Sequence, residues 1–243
     1  MIRFPEEGYV LPELALRELQ SAGYRALTGA EFAAKRALDN DRGSLSWRVY
    51  PHTDTLVGVG LFRQEPTLLV RHGDHVLSTP EGCERLRAQG PKRYKFQLLS
   101  ETDRALWKRY CEEGLEEKGG RRKTWVIQGK VLEGLILGVC NLDKAPDYTA
   151  MVPMLGDIDS VSNYSKGHRA NFGNQIGVWV DKNATNSEVP LVCGLVFGEG
   201  YRLYGNDGFG DECFVGVPFS AEGAAQKIFE PQKDSPLALI LKE

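Results

Sequence analysis

The run Val189-Pro190-Leu191-Val192-Cys193-Gly194-Leu195-Val196-Phe197 is followed, past Gly198-Glu199-Gly200, by Tyr201-Arg202-Leu203-Tyr204. Beyond Gly205-Asn206-Asp207-Gly208 comes a third run, Cys213-Phe214-Val215-Gly216-Val217-Pro218-Phe219. All three are rich in β-branched and aromatic residues, and Gly, Asn and Asp clusters of the kind that make turns separate them. This is the signature of sheet. Thr124 to Gln128, Lys130 to Val139 and Ile176 to Val180 read the same way, as do Leu56 to Phe62, Thr67 to Arg71 and Tyr94 to Leu99 earlier in the chain.

Helical signals concentrate in the first half. Pro12 suits a first turn, with Leu11, Leu14, Ala15, Leu19 and Ala22 on one face and Gly23 ending it. Thr28 and Glu31 have capping-box spacing, Thr79-Pro80 opens another helix, and Ser100 with Asp103 introduces the clearest amphipathic one. That helix should turn Leu106, Trp107, Tyr110 and Cys111 inward. A late helix is expected from Ser220, with Ala221, Ala224, Ala225 and Ile228 on one face. Strands and helices do not alternate, so the fold class is α+β, with a mainly antiparallel sheet and helices concentrated in the first half. Residues 1–243 read as a single domain; two lobes divided near 114–123, where charges crowd, are the other architecture.

The chain has 243 residues, enough for a sizeable core, and a net charge of −3, which offers no broad nucleic-acid surface. No apolar run is long enough for a membrane span, and the N-terminus lacks the tiers of a signal peptide. The expected location is cytoplasmic, or inside a target cell after delivery without a classical signal peptide. Cys83, Cys111, Cys140, Cys193 and Cys213 are widely spaced and odd in number, which fits buried thiols. His72-Gly73-Asp74-His75 fits a hairpin turn between Leu68-Leu69-Val70 and Val76-Leu77, or part of a metal site.

Phosphate-binding loops, dinucleotide fingerprints, nucleophile elbows and zincin motifs are all missing from the sequence. The sharpest chemical feature is Gly156-Asp157-Ile158-Asp159. On a strand, residues two apart face one side, so Asp157 and Asp159 could converge on Mg²⁺ or Mn²⁺; the other reading is a turn with Asp159 in solvent. A polar segment follows, in which Lys166 and Arg169 could reach phosphate and His168 could accept a proton, or which is a solvated loop. In the later glycine-rich segment, Asn206 and Glu212 are candidate ligands for a ribose or base.

This order resembles the toxin-type nucleotidyl cyclases of the anthrax edema factor and ExoY kind. Lys35-Arg36 stand for that family's basic segment, Asp157-Ile158-Asp159 for its metal pair, and Tyr204-Gly205-Asn206-Asp207 for its late loop. The resemblance implies an enzyme that cyclises a nucleoside triphosphate by attack of its 3′-hydroxyl on the α-phosphate, with a host protein as activator. Joined to the reading of the residues, it gives Asp157 and Asp159 as metal ligands, Lys35, Arg36, Lys166 and His168 as catalytic groups, and Asn206 and Glu212 on the substrate. Two departures stand out. The family's paired lysines with a histidine between are replaced by Lys35-Arg36, and its His-Gly by Tyr204-Gly205.

The contrasting reading is a non-enzymatic effector, inhibitor or immunity protein acting through a protein–protein interface. Trp125, Trp179, Phe209 and Phe214 are then candidate anchors on a sheet edge open to strand addition. A nuclease built on Asp157, Asp159 and Glu188 or Glu199, with Lys166 or Lys182 near phosphate, ranks below both. An Asp pair in a concave basic pocket would favour the enzyme. A splayed pair beside an exposed apolar patch would favour the binder.

Overall fold

The structure is a computed structural model that describes residues 2–5, 10–39, 41–90, 95–117, 122–135, 137–143, 150–198, 202–205 and 214–218. The chain begins with β1 (Ile2–Phe4), α1 (Pro12–Ser21), β2 (Tyr24–Ala26), α2 (Gly29–Leu38) and α3 (Leu45–Arg48). The long hairpin β3 (His52–Phe62) and β4 (Glu65–His72) follows, then α4 (Pro80–Ala88), β5 (Phe96–Gln97), α5 (Glu101–Glu116) and β6 (Thr124–Gln128). The remainder is α6 (Gly129–Glu133), β7 (Gly138–Asn141), α7 (Met151–Leu155), α8 (Ile158–Phe172), β8 (Gln175–Val180), β9 (Leu191–Gly198), β10 (Arg202–Gly205) and β11 (Phe214–Pro218).

The fold is α+β. Among the described residues one sheet runs β1-β11-β3-β9-β10-β8-β7, with β2 beside β11, β4 and β6 beyond β3, and β5 on β9. It is mixed but largely antiparallel: the pairs β10–β8 and β11–β3 are parallel. β11 joins β1 near the start of the chain, at Phe4↔Phe214. β4 and β6, on either side of 114–123, pair from Thr67↔Gln128 to Arg71↔Thr124.

The capping chemistry acts as its spacing predicts. The Thr28 side chain accepts from the Glu31 amide and Glu31 answers on the Thr28 amide, closing the box at α2. Ser100 caps α5 by accepting from the Asp103 amide, and Thr79 caps α4 by accepting from the Gly82 amide. α1 starts at Pro12, and Gly23 just past its end has φ +78°. α5 buries Trp107, Tyr110 and Cys111, with Leu106 partly buried, and the Trp107 indole N–H donates to the Leu61 carbonyl at 3.0 Å.

Helices are concentrated in the first half, where α1 to α5 lie, and α6, α7 and α8 follow in the second. Two expectations need correcting. The segment read as a strand from Lys130 opens as the α6 helix, after Gly129 at φ +56°, and only Gly138–Asn141 pairs in the sheet. The His72–His75 cluster is not a hairpin turn. β4 ends at His72, Gly73 and Asp74 take positive φ, and the chain passes into a 3₁₀ turn, Val76–Ser78, that leads to α4. Cys83, Cys111, Cys140 and Cys193 are buried thiols. Cys213 and the expected helix from Ser220 lie outside the described residues.

Candidate functional site

Asp157 and Asp159 are not on a strand. Asp157 is the N-cap of α8, its carboxylate accepting from the Ser160 amide at 2.6 Å, and Asp159 is exposed in the first turn. The polar segment after them is helical rather than a loop. Ile158, Val161, Tyr164, His168 and Phe172 recur at three- and four-residue spacing and give α8 its inner face. Histidine and tyrosine in that stripe obscured the period in the sequence.

The basic candidates point in different directions. Lys35 is exposed, whereas Arg36 is wholly buried. The Arg36 Nε donates to the Ser46 carbonyl at 2.7 Å and its NH2 to the Val49 carbonyl at 2.9 Å. The rings of Phe32, Trp47 and Phe197 lie 4.9, 4.9 and 5.1 Å from its guanidinium carbon. Burial lowers the Arg36 pKa and, on the neighbouring Tyr164 hydroxyl, raises it. This cation holds the 46–49 segment against α2.

His168 is buried as well. Its Nε2 lies 2.9 Å from the Gln175 carbonyl, and burial lowers its pKa to about 4. Lys166 faces outward over a shallow groove between α2 and α8, lined by Ala34, Ala37, Leu38, Ser160 and Asn163. On α8, Asp159, Asn163 and Lys166 follow at i, i+4 and i+7, which separates the carboxylate and ammonium stems by about 10 Å along the axis. The six described candidates therefore share two packed helices without converging on one point. Asn206 and Glu212 lie outside the described residues, as does Glu199; Glu188 is exposed. Lys182 donates to the Glu133 carbonyl at 2.6 Å.

His72 is no ligand either. Its Nε2 lies 2.8 Å from the Pro153 carbonyl, which can only accept, so Nε2 carries the proton and Nδ1 is the acceptor. The Thr55 hydroxyl, 2.8 Å from Nδ1, therefore donates to it, and in turn accepts from the Gly29 amide at 2.8 Å. Burial lowers the His72 pKa to about 4, and this neutral relay joins α2, β3, β4 and α7. Among the described residues no group of three or more His, Cys, Asp or Glu side chains could hold a metal ion.

A different feature presents itself at the β7 end of the sheet. Tyr204 pairs in register with Val196 on one side and Trp179 on the other, and Arg202 with Gly198 and Gly177; Val139 continues the second row. Paired residues share a face, so Val196, Tyr204, Trp179, Arg202 and Val139 stand together. Val139 is 65% and Trp179 38% exposed, large values for such side chains on a sheet. The opposite row, Phe197, Leu203 and Val178, is buried, and Phe197 packs against Phe32 of α2 and Tyr164 of α8. One face of these strands is thus core and the other open.

Glycines shape the open face. A Cβ on Gly198 would stand 2.4 Å from Tyr204 Cε2, so that glycine makes room for the tyrosine ring. The Trp179 ring reaches within 3.9 Å of where a Cβ on Gly138 would be, and Arg202 donates to the Tyr204 hydroxyl at 2.8 Å. Of the anchors read from the sequence, Phe214 is buried, Trp125 is partly buried under Arg122, and Phe209 lies outside the described residues. Trp179 is the described one in the open.

A solved structure described as "Accommodation of massive sequence variation in Nanoarchaeota by the C-type lectin fold" superposes over 86% of this chain and 94% of its own, with a TM-score of 0.70 and 24% identity. The chain has the C-type lectin fold. No family model matches the sequence, and no curated protein does. The lectin-type fold overturns the resemblance to nucleotidyl cyclases, and with it the reading of a magnesium-dependent, nucleotide-binding lyase toxin. Of the short motifs behind that resemblance, Asp157 is a helix cap and Arg36 is buried, and Asn206-Asp207 lie outside the described residues. Among the described residues no helix is long and apolar enough to cross a membrane.

Proposed function

We propose that this chain is a non-catalytic binding protein, an effector, inhibitor or immunity protein that engages a protein partner through the open face of β7, β8, β10 and β9. The observation that carries the reading is Trp179 held in solvent beside Val139, in cross-strand register with Tyr204 and next to Arg202. Trp, Tyr and Arg are the residues that most often dominate interface energies, because each brings large contact area on a stiff or forked group. The splayed carboxylates of α8, and the exposed apolar face on the opposite side of the sheet, support binding over catalysis. The similar structure carries a fold described as accommodating massive sequence variation, which is compatible with recognition resting on exposed side chains over a constant core.

Panning a random-peptide library on the wild-type protein tests this reading. Enriched peptides should bind Trp179→Ala or Tyr204→Ala protein at least tenfold more weakly, with unchanged thermal unfolding. Peptides that bind both variants as tightly as wild type, or a library that enriches nothing, would overturn it.

A further inference from the structure

We propose that the corner between β4 and α4, residues 72–78, is an acid-operated latch in which a proton taken up by His75 draws the Asp54 carboxylate away from Ser78. The geometry is a competition for one oxygen. Asp54 Oδ1 accepts from the Ser78 hydroxyl at 2.5 Å, while His75 Nε2 stands 3.3 Å from the same atom. The His75 side chain is 2% exposed, its ring is set against the Asp54 backbone and carboxylate, and Nε2 forms no well-aligned hydrogen bond to that oxygen. A buried imidazole placed so close to a carboxylate forms a strong bond to it once charged.

In the neutral state Ser78 closes the corner twice, donating to Asp54 and accepting from the His75 amide at 3.1 Å. Protonation turns Nε2 into a charged donor, and a charge-assisted bond to the carboxylate outweighs one from a neutral hydroxyl. Ser78 then loses its acceptor, and the 3₁₀ turn loses its tie to β3. The release falls directly before Thr79, the cap of α4.

The surroundings set the range in which this works. Asp54 on β3 and Asp74 in the corner favour the imidazolium, whereas Arg71 and His72 at the end of β4 oppose it. Asp74 is itself paired with Lys123, and Arg71 with Glu113 of α5. On α4, Cys83 adjoins this acidic group and burial pushes its thiol up to about 12, so it stays neutral. Burial outweighs the attraction of Asp54 and holds His75 below the usual histidine range. The latch is therefore closed at neutral pH and opens on acidification.

Imidazole nitrogen shifts and amide exchange, followed by NMR from pH 7.5 to 4.5, test the latch. In wild type, protection of residues 76–79 should fall at least tenfold as His75 titrates, while β9 stays protected. His75→Gln should keep residues 76–79 protected throughout the range. Ser78→Ala, which keeps the imidazole, should exchange fast at every pH. A fall in His75→Gln equal to that in wild type would overturn the proposal, as would wild-type protection that stays flat while His75 titrates, or a corner that opens with His75 still neutral.

Discussion

The Tyr204 ring fills the space that a side chain on Gly198 would need, with Cε2 only 2.4 Å from the position of the missing Cβ. The β9 glycine and the β10 tyrosine are thus one unit of the open face. Backbone freedom is not the reason for that glycine. Gly198→Ala is expected to lift the ring, expose the Arg202–Tyr204 pair and reduce binding of the selected peptides about as much as Tyr204→Ala does. Thermal unfolding checks that the cost to the fold stays near the 1–3 kcal/mol of local overpacking.

Acid should destabilise this protein before its carboxylates titrate. His72 and His168 both titrate near pH 4 in the fold because burial disfavours their charge, against about 6.5 in an unfolded chain. Above about pH 6.5 both states are neutral and stability is whole. As pH falls, the unfolded chain takes up protons that the native state refuses, and the loss grows until about pH 4. Urea unfolding at pH 7 and pH 5 should differ by on the order of 2 kcal/mol for each histidine. His168→Asn should remove one share of that difference.

Arg36 can be lost in two ways that differ in cost. Arg36→Ala removes the donors of the Ser46 and Val49 carbonyls and the packing under three aromatic rings. A loss of about 3–5 kcal/mol is expected, as for other large buried side chains truncated to alanine. Arg36→Met refills much of the volume and removes the buried charge, so it should recover part of that loss while leaving both carbonyls unpaired. Chemical denaturation of the two variants, compared at pH 7, reads the difference.

The β3–β4 hairpin carries strain that can be relieved. Arg63 and Gln64 turn it with φ of +52° and +66°, the left-handed pair that a two-residue turn of this type requires. Asn-Gly fits those angles far better. Arg63→Asn/Gln64→Gly should raise stability by about 1 kcal/mol, read as a higher midpoint with an unchanged denaturant slope.

Local order was legible wherever the chemistry is local. Thr28 with Glu31, Ser100 with Asp103, Thr79-Pro80 and Pro12 with Gly23 start or stop helices through atoms a few residues apart, so spacing alone reveals them. The runs Leu191–Gly198, Arg202–Gly205 and Phe214–Pro218 declare strands through their β-branched and aromatic content. α8 escaped because its inward stripe includes Tyr164 and His168, polar by type yet buried. Asp157 and Asp159 misled for a related reason: a two-residue spacing means a shared strand face only if there is a strand, and here the first aspartate caps a helix.

Tertiary structure alone decided which side chains are inside. Arg36 and Lys35 are neighbours in sequence, yet one closes an aromatic cage and the other meets water. Nothing in the chain before folding distinguishes Trp179 from Trp125 or Phe214 as an anchor. Register does: pairing β8 against β7 and β10 turns Trp179 outward beside Tyr204 and Val139, and a slip of one residue would bury it. Sequence therefore determined the α+β class, and most elements other than α6, α7 and α8, through short-range caps, turns and periodicity. Strand order, register and the open face were decided by long-range pairing, because they depend on contacts between residues far apart in the chain.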